Sequence, residues 1–214
     1  ALPLAEQALD FADRPVFFGD TYHLARSLYL LGLIAFEQKN SSRAEHYFLR
    51  ALRIYEANYN DHTKIIGHIL WKLGEIYFAA KRYSEADKFL EHSLKRYDSI
   101  DLNAPPEKAD VLYLLAVLRI EDLKYGEASE QLRRALQIYQ KTVPDTDSRI
   151  ATTLYELGIA HVKQHKYVQA EQYFQRALWL YEASDPKNEV GMANALYGKG
   201  LALNETSQHS KAAQ

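Results

Sequence analysis

The sequence predicts an all-α protein, a solenoid of stacked antiparallel helix pairs, from three patterns that share one period. A small residue follows a leucine or lysine every 42 residues, at Leu31-Gly32, Leu73-Gly74, Leu115-Ala116, Leu157-Gly158 and Lys199-Gly200. Alanine recurs twelve residues after each of these small residues, at Ala44, Ala86, Ala128, Ala170 and Ala212. Tyrosine keeps the same period at Tyr55, Tyr97, Tyr139 and Tyr181. A fixed period of this size indicates stacked copies of one unit rather than a single globular core.

Each unit is predicted to be a helix, a short turn and a second helix. The first helix of the clearest unit carries a stripe with i, i+3, i+4, i+7 spacing at Leu70, Leu73, Gly74 and Tyr77. The second helix carries another stripe at Ala86, Leu90, Ser93, Leu94 and Tyr97. Ser84, with Asp87 three residues later, has the form of a helix N-terminus and predicts a capping hydroxyl. Gly74 and Ala86 are expected to let the two helix axes approach closely, which offsets the cost of about 1 kcal/mol for glycine inside a helix.

Helix-breaking residues separate the units and mark the start of each new first helix. They are Asp61-His62-Thr63, Asn103-Ala104-Pro105-Pro106, Pro144-Asp145-Thr146-Asp147 and Asp185-Pro186. A strand interpretation is poor, because no segment alternates with period two and the glycines are too few for many tight turns.

The repeated pattern resembles the tetratricopeptide repeat. Leu-Gly, an aromatic such as Tyr77, and then Lys-x-Tyr-x-Glu-Ala form the resemblance, which recurs at residues 81–86, 124–128 and 166–170. The 42-residue length resembles the longer-helix variety found in kinesin light chains. The sequence departs from the family pattern at Ala116, Ser41, Arg119 and His161. The resemblance implies a right-handed superhelical solenoid.

The phase of the period predicts the domain organisation as a single solenoid over residues 1–214. The predicted repeats are 25–66, 67–108, 109–150, 151–192 and a truncated repeat at 193–214, where Lys211-Ala212 would open another second helix. Residues 1–24 are expected to form the second helix of a preceding repeat and a linker. Terminal repeats need a polar capping face. Neither end supplies one, which predicts a fragment of a longer array, ends covered by another chain, or pairing with a second copy.

Composition narrows the function classes. A formal net charge of −2 gives no electrostatic reason to expect a nucleic-acid partner. The chain has no cysteine, which excludes disulfides, thiolate metal sites and cysteine nucleophiles and fits a cytoplasmic location. No apolar run approaches the roughly 20 residues that a membrane helix needs, so membrane insertion is not expected.

A second stripe on each first helix is the candidate partner-binding surface. In the first full unit it consists of Tyr29, Leu33 and Phe36. Its equivalents in the later units are Trp71, Glu75, Phe78, Tyr113, Val117, Ile120, Tyr155, Ile159, Val162, Tyr197, Leu201 and Asn204. Five of these residues are aromatic at one position and form what we name the aromatic ladder: Tyr29, Trp71, Tyr113, Tyr155 and Tyr197. Polar residues that could orient a ligand precede each ladder residue: Arg26, His68, Asp110, Thr152 and Asn194.

The tetratricopeptide resemblance places this stripe on a concave groove. Flat aromatic anchors with polar tips suit an extended peptide or the apolar face of a helix. The alternative is that the ladder only packs adjacent first helices. The carboxylate clamp of chaperone-binding repeats requires Lys, Arg and Asn where Leu33, Val117, Ile159 and Leu201 stand, which argues against a chaperone C-terminus as the partner.

No catalytic or metal-binding constellation emerges from the sequence. His161 and His165 have a spacing that can hold a metal, but no third ligand is evident and His161 replaces a packing residue of the repeat. Phosphate-binding glycine loops are absent, and the regular tyrosines are expected to pack second helices. We therefore expect no cofactor, no metal and no enzymatic activity, although an active site in a flanking domain stays open.

The leading functional hypothesis is a non-catalytic scaffold or adaptor that holds a protein or peptide partner in the aromatic-lined groove. Two alternatives belong to other classes. One is a regulatory module that senses a ligand or signalling peptide by changing its superhelical pitch. The other is a homo-oligomer that assembles through open repeat ends.

Overall fold

The computed structural model describes residues 21–100, 104–184 and 188–212, which contain helices and connecting turns but no strand. The helices of these ranges are α1 (Thr21–Glu37), α2 (Ser41–Asn58), α3 (Thr63–Ala79), α4 (Tyr83–Asp98), α5 (Pro106–Glu121), α6 (Tyr125–Thr142), α7 (Ser148–Lys163), α8 (Tyr167–Ser184) and α9 (Glu189–Ala212). Odd-numbered helices are the predicted first helices, and even-numbered helices are the second helices. Each of α1, α3, α5 and α7 packs on the helix that follows it. The predicted all-α solenoid of helix pairs is confirmed.

The helices fall into two compact units, with the boundary between residues 103 and 104. The N-terminal unit contains α1 to α4, in which α2 also packs on α3. The C-terminal unit contains α5 to α9, in which α6 packs on α7 and α8 packs on α9. The first helices α5 and α7 touch each other, as do α7 and α9. The single solenoid over residues 1–214 stays a prediction.

Each helix pair is joined by a turn that reverses the chain with one residue in the left-handed region. The four residues are Lys39, Lys81, Leu123 and His165, with φ between 58° and 61°, and they repeat the 42-residue period. In the second of these turns the Arg82 amide donates to the Tyr77 carbonyl and the Lys81 amide donates to the Phe78 carbonyl, each at 2.9 Å. These two bonds satisfy carbonyls that the end of a helix otherwise leaves without partners.

The turn also corrects the predicted cap at Ser84. Arg82, the residue after the left-handed Lys81, is the N-cap of α4 and makes no capping bond with its side chain. Ser84 is therefore the second residue inside the helix. Side-chain caps occur instead at Asn40, which accepts from the Arg43 amide at 3.2 Å, and at Asp147, which accepts from the Arg149 amide at 3.0 Å.

Small residues hold the two helices of a pair together as expected. A Cβ atom added to Gly74 would lie 2.5 Å from Leu90 Cδ2, and one added to Gly158 would lie 2.6 Å from Phe174 Cε1. These distances are far inside normal carbon contact, so the helices approach this closely only because the side chain is missing. Gly200 differs, since no atom of the described residues, apart from the adjoining backbone of its own helix, lies within 4 Å of its added Cβ.

The final predicted turn does not form. α9 runs without interruption to Ala212, through the position where the other first helices end and into the expected second-helix start at Lys211-Ala212. A helix propagates while each added residue gains a backbone bond. Ser207, which stands at the position of the left-handed residues, remains helical.

The predicted repeat boundaries lie slightly inside the observed first helices. The pairs begin at Thr21, Thr63, Pro106 and Ser148, and α9 begins at Glu189. Residues 21–24, expected to be a linker, are instead the first turn of α1, because Thr21 Oγ1 is 2.7 Å from the Tyr59 hydroxyl and the Tyr22 ring lies 5.4 Å from that of Tyr59. The predicted preceding second helix falls on residues 1–20, outside the described residues. No helix of the described part of the chain is long and apolar enough to cross a bilayer.

The regular tyrosines are buried packing residues of the second helices, as the sequence predicts. Tyr55, Tyr97, Tyr139 and Tyr181 all belong to the core. Two of their hydroxyls bond to the preceding first helix: Tyr139 donates to Asp110 Oδ1 at 2.6 Å and Tyr181 donates to Thr152 Oγ1 at 3.3 Å. A buried hydroxyl is costly without a partner, so these bonds explain why polar residues stand at 110 and 152.

Candidate functional site

The aromatic ladder lies on the first helices, two members in the N-terminal unit and three in the C-terminal unit. Trp71 is buried, with 9% of its surface exposed, whereas Tyr197 is 70% exposed. Tyr29, Tyr113 and Tyr155 are half-buried. The ladder therefore combines a packing role with a surface that another molecule can reach.

In the N-terminal unit the ladder residues of α1 and α3 meet through His68. The Tyr29 hydroxyl is 3.1 Å from His68 Nδ1, and the His68 ring packs edge-on against Trp71 with centroids 5.1 Å apart. The sequence placed these three residues on one surface, and the structure brings them into direct contact. The Trp71 indole N–H has no hydrogen-bond partner among the described residues.

Lys72 completes this surface, although sequence reasoning missed it. Its Nζ lies 3.8 Å from the Trp71 ring centroid and 4.7 Å from the Phe36 ring centroid. The same ammonium forms an ion pair with Glu75 Oε2 at 2.7 Å. Three predicted residues thus surround a lysine of the chain itself, with cation–π contacts to two of them.

The other predicted residues of the N-terminal unit lie at the margins of this cluster. Arg26 is exposed and Leu33 is half-buried. Phe78 is half-buried, and its ring lies 5.7 Å from that of Tyr83. Within the described residues none of the three forms a hydrogen bond to the ladder, so their binding role stays a prediction.

In the C-terminal unit the polar residues beside the ladder are already engaged within the repeats. Asp110 accepts from Tyr139, and its second oxygen lies 3.4 Å from Arg149 Nη1. Arg149 also binds both oxygens of Asp147. Thr152 accepts from Tyr181. These side chains therefore stabilise helix pairs, and their role in orienting a ligand stays a prediction.

One part of the predicted surface packs on a core cluster. Tyr155, Ile159 and Val162 lie against a buried cluster of Ala170, Phe174 and Ala202 from α8 and α9. The Tyr155 and Phe174 ring centroids are 5.7 Å apart. These three residues therefore pack the helices of the C-terminal unit together, which was the alternative to a binding role, and packing is at least part of what they do.

The family of the chain follows from the repeated helix pairs together with matches to sequence models of protein families. Sequence models described as tetratricopeptide repeat match residues 25–58, 66–141 and 155–214. The chain belongs to the tetratricopeptide-repeat family. No curated protein matches it by sequence.

Solved tetratricopeptide-repeat structures share the fold at low sequence identity. BtubC (BKLC) from P. vanneervenii is similar with a TM-score of 0.76 and 18% identity, over 97% of this chain and 82% of that chain. A putative kinesin light chain from Podosopora anserina with nearly identical repeats gives 0.68 and 16%, over 90% and 91%. YrrB, described as a tetratricopeptide-repeat protein with an unusual peptide-binding site, gives 0.62 and 18%, over 88% and 80%.

Among the remaining ladder neighbours of this tetratricopeptide array, Glu156 has the most unusual environment. Burial, followed by the nearby Glu121 carboxylate, raises the pKa of Glu156 to about 7. Burial and then the Glu156 carboxylate raise the pKa of Tyr113. Val117 and Ile120 continue the half-buried apolar surface along α5. The sequence pattern did not point to Glu156, because the residues at its position in the other repeats are chemically different. They are Leu30, Lys72, Leu114 and Gly198.

The ladder ends on α9, where the tetratricopeptide units present their most exposed apolar surface. Asn194 and Leu201 are exposed beside Tyr197. Leu196 and Leu203, 53% and 43% exposed, lie on the same helix.

The two candidate metal ligands of the sequence are engaged separately. His161 is buried, and its Nδ1 is 2.8 Å from the Leu157 carbonyl oxygen. His165 Nδ1 is 2.8 Å from the Tyr167 hydroxyl. Within the described ranges no group of three or more His, Asp or Glu side chains is placed to hold a metal ion.

Proposed function

We propose that the chain is a non-catalytic adaptor that holds a peptide or helix of a partner protein against the aromatic ladder. The observation that carries the proposal is the exposure of the ladder within the C-terminal unit: Tyr197 is open, and Tyr113 and Tyr155 are half-buried although they are large aromatic residues. Monomeric proteins seldom expose contiguous apolar surface without a binding role. The similarity to YrrB, whose description names a peptide-binding site, supports the same class of function.

The chemistry of the surface favours a peptide over a small polar metabolite. Tyrosine offers a rigid apolar face and one hydroxyl, which suits burial of apolar side chains with hydrogen bonds at the edge. On α5, Val117 and Ile120 follow Tyr113 at i+4 and i+7, so apolar side chains continue along the same side of the helix as the tyrosine. An extended segment or an amphipathic helix can use such serial contacts.

Selection from a random-peptide phage library tests the proposal, with the whole chain as the target. A synthetic peptide of the selected sequence is then titrated by fluorescence anisotropy against a variant carrying Tyr113→Ala and Tyr197→Ala. We expect the dissociation constant to rise by about tenfold or more, because aromatic anchors carry much of the energy of such interfaces. Circular dichroism establishes that the variant keeps its helices.

The matched control is Trp179→Ala on the second helix α8, since Trp179 is 64% exposed but lies outside the ladder. Its dissociation constant should equal that of the unmodified chain. Equal binding by the ladder variant, or a loss confined to Trp179→Ala, would place the site elsewhere and refute the proposal.

The exposed face of α9 favours self-assembly as a second candidate function. Leu196 and Leu203 stand at the repeat positions of Leu154 and His161, which are buried under a second helix in the preceding pair. Sedimentation velocity over a concentration series should show mass increasing for the unmodified chain, and a monomer for Leu196→Lys with Leu203→Glu. Val168→Lys, an exposed position on α8, is the control. An unmodified chain that stays monomeric would contradict this candidate.

A further inference from the structure

The two second helices of the N-terminal unit carry basic side chains along their exposed sides. On α2 these residues have i, i+3, i+10 spacing and on α4 they have i, i+4, i+7 spacing, so each set lies on one side of its helix. We name them the basic face, and all are exposed: Arg43, His46, Arg53, Lys88, His92 and Lys95. Phe48 and Tyr55, which pack α2 into the core, lie on the opposite side of that helix.

An ion pair places the two helices side by side. Arg96 Nη2 of α4 lies 3.9 Å from Glu56 Oε1 of α2, and both residues belong to the last turn of their helix. Arg53 and Lys95 occupy the same repeat position on these helices. The basic face therefore extends across two neighbouring helices, over about 15 Å along α2 from Arg43 to Arg53.

The acids of α2 and α4 do not neutralise the basic face, because they are engaged with other groups. Glu45 accepts from the Tyr77 hydroxyl at 2.6 Å, and Glu85 pairs with Arg82 at 2.8 Å. The remaining acids of the two helices also have partners: Glu56, Asp87, Glu91 and Asp98. Within the described residues, four cations of the basic face form no ion pair: Arg43, Arg53, Lys88 and Lys95.

The C-terminal unit lacks this excess of positive charge at the same repeat positions. In the N-terminal unit the four corresponding positions of each second helix include Glu85 and five cations, which are Arg43, Arg50, Arg53, Lys88 and Lys95. In the C-terminal unit they include two cations and two acids, which are Arg134, Arg176, Glu127 and Glu130. Both units form the same helix pairs, so the fold does not require the charge of the basic face.

Uncompensated cations on an exposed surface attract an anionic partner. Nucleic acid fits poorly, because domains that bind its dense phosphate charge are strongly basic as a whole. This chain has a formal net charge of −2 and a pI of about 6.5. A protein segment with several carboxylates has a lower charge density, and its carboxylates form charge-assisted hydrogen bonds with arginine and lysine.

We propose that the basic face of α2 and α4 is a docking surface for an acidic segment of a partner protein, one rich in Asp and Glu. The aromatic ladder lies on the first helices, whereas the basic face lies on second helices. The proposal therefore adds a separate site and does not depend on peptide binding by the ladder.

Fluorescence anisotropy of a fluorescein-labelled oligoglutamate peptide, titrated with the whole chain at about 50 mM salt, tests the proposal. Arg53→Glu with Lys95→Glu reverses one charge on each helix and should raise the dissociation constant about tenfold or more. Arg53→Gln with Lys95→Gln should give a smaller loss in the same direction. Raising the salt to about 300 mM should weaken binding to the unmodified chain. Circular dichroism establishes that the variants keep their helices.

The matched control is Arg134→Glu with Arg176→Glu, which changes the net charge equally at exposed positions of α6 and α8. Its dissociation constant should differ from that of the unmodified chain by less than about threefold. No binding of oligoglutamate by the unmodified chain, or equal losses with both charge-reversal variants, would overturn the proposal. Tighter binding of a labelled oligothymidylate, lost with Arg53→Glu and Lys95→Glu, would identify nucleic acid as the occupant and also overturn it. These results leave the ladder untouched, because its peptides are selected and titrated separately.

Discussion

Replacing Gly158 with alanine should lower the free energy of unfolding, whereas the same replacement at Gly200 should raise it. The added Cβ at residue 158 would lie 2.6 to 2.8 Å from three ring atoms of Phe174, which is fully buried against Ala170 and Ala202. Overpacking of this kind costs about 1–3 kcal/mol. Alanine recovers about 1 kcal/mol of helix propensity, which leaves a net loss of up to about 2 kcal/mol.

Gly200 is the matched control because the substitution is identical and its surroundings are empty. Apart from the adjoining backbone of α9 itself, no atom of the described residues lies within 4 Å of the added Cβ, and Gly200 is exposed inside α9. Only the propensity gain remains, so stability should rise by about 0.5–1 kcal/mol. Hydrogen exchange of the α9 amides measures this gain at the helix that carries the substitution.

Urea unfolding followed by circular dichroism measures both variants. Adding Phe174→Leu to Gly158→Ala should recover part of the loss, since leucine stands at this position in α4 and α6. Changes of the same sign at Gly158 and Gly200, or no recovery by the smaller side chain, would show that close packing at Phe174 does not require glycine.

Three further predictions concern the helix pairs and the acid beside the ladder. Glu156→Gln should raise the free energy of unfolding by on the order of 1–3 kcal/mol at about pH 8 and leave it unchanged near pH 4.5 in urea titrations. Folding raises the pKa of Glu156 from an ordinary 4.5 to about 7, so the unmodified chain loses stability as the pH rises between these two values, whereas glutamine does not titrate; an equal gain at both pH values would contradict this reasoning. Leu123→Gly should stabilise the chain by about 0.5–1 kcal/mol because Leu123 is 71% exposed with φ of 61°, and a thermal-unfolding scan that shows a loss would disagree. Tyr139→Phe should cost about 1.5–3 kcal/mol by removing the bond to the Asp110 carboxylate, and an unchanged urea midpoint would mean that water replaces it.

The sequence predicted the helix pairs because their packing is periodic. The positions of Gly74 and Tyr97 recur every 42 residues together with the apolar residues that pack around them, so the pattern of one unit predicts the structure of the next. The turn residues could not be predicted in the same way. Lys81 and Leu123 share no chemistry, and their left-handed conformation is imposed by the reversal between two packed helices rather than by a glycine.

The candidate surface was only partly readable from the sequence. The aromatic ladder is visible because its chemistry repeats, and the contact between Tyr29 and His68 follows from the register. Lys72 and Glu156 were not visible because their position changes chemistry from unit to unit. What these two side chains do depends on which ring or acid of another helix lies next to them. The distance between side chains on different helices is not encoded in a repeat pattern.

Phe174 has a consequence for how the C-terminal unit comes apart. Its ring lies against the backbone of two first helices, at Gly158 of α7 and at Gly198 of α9. In a linear array, cooperativity arises only where neighbouring units share an interface. Here one ring belongs to both interfaces of α8, so release of α9 frees a surface on which α7 also depends. Unfolding that starts at α9 should therefore spread to α7 and α8 as one step rather than stop after a single helix.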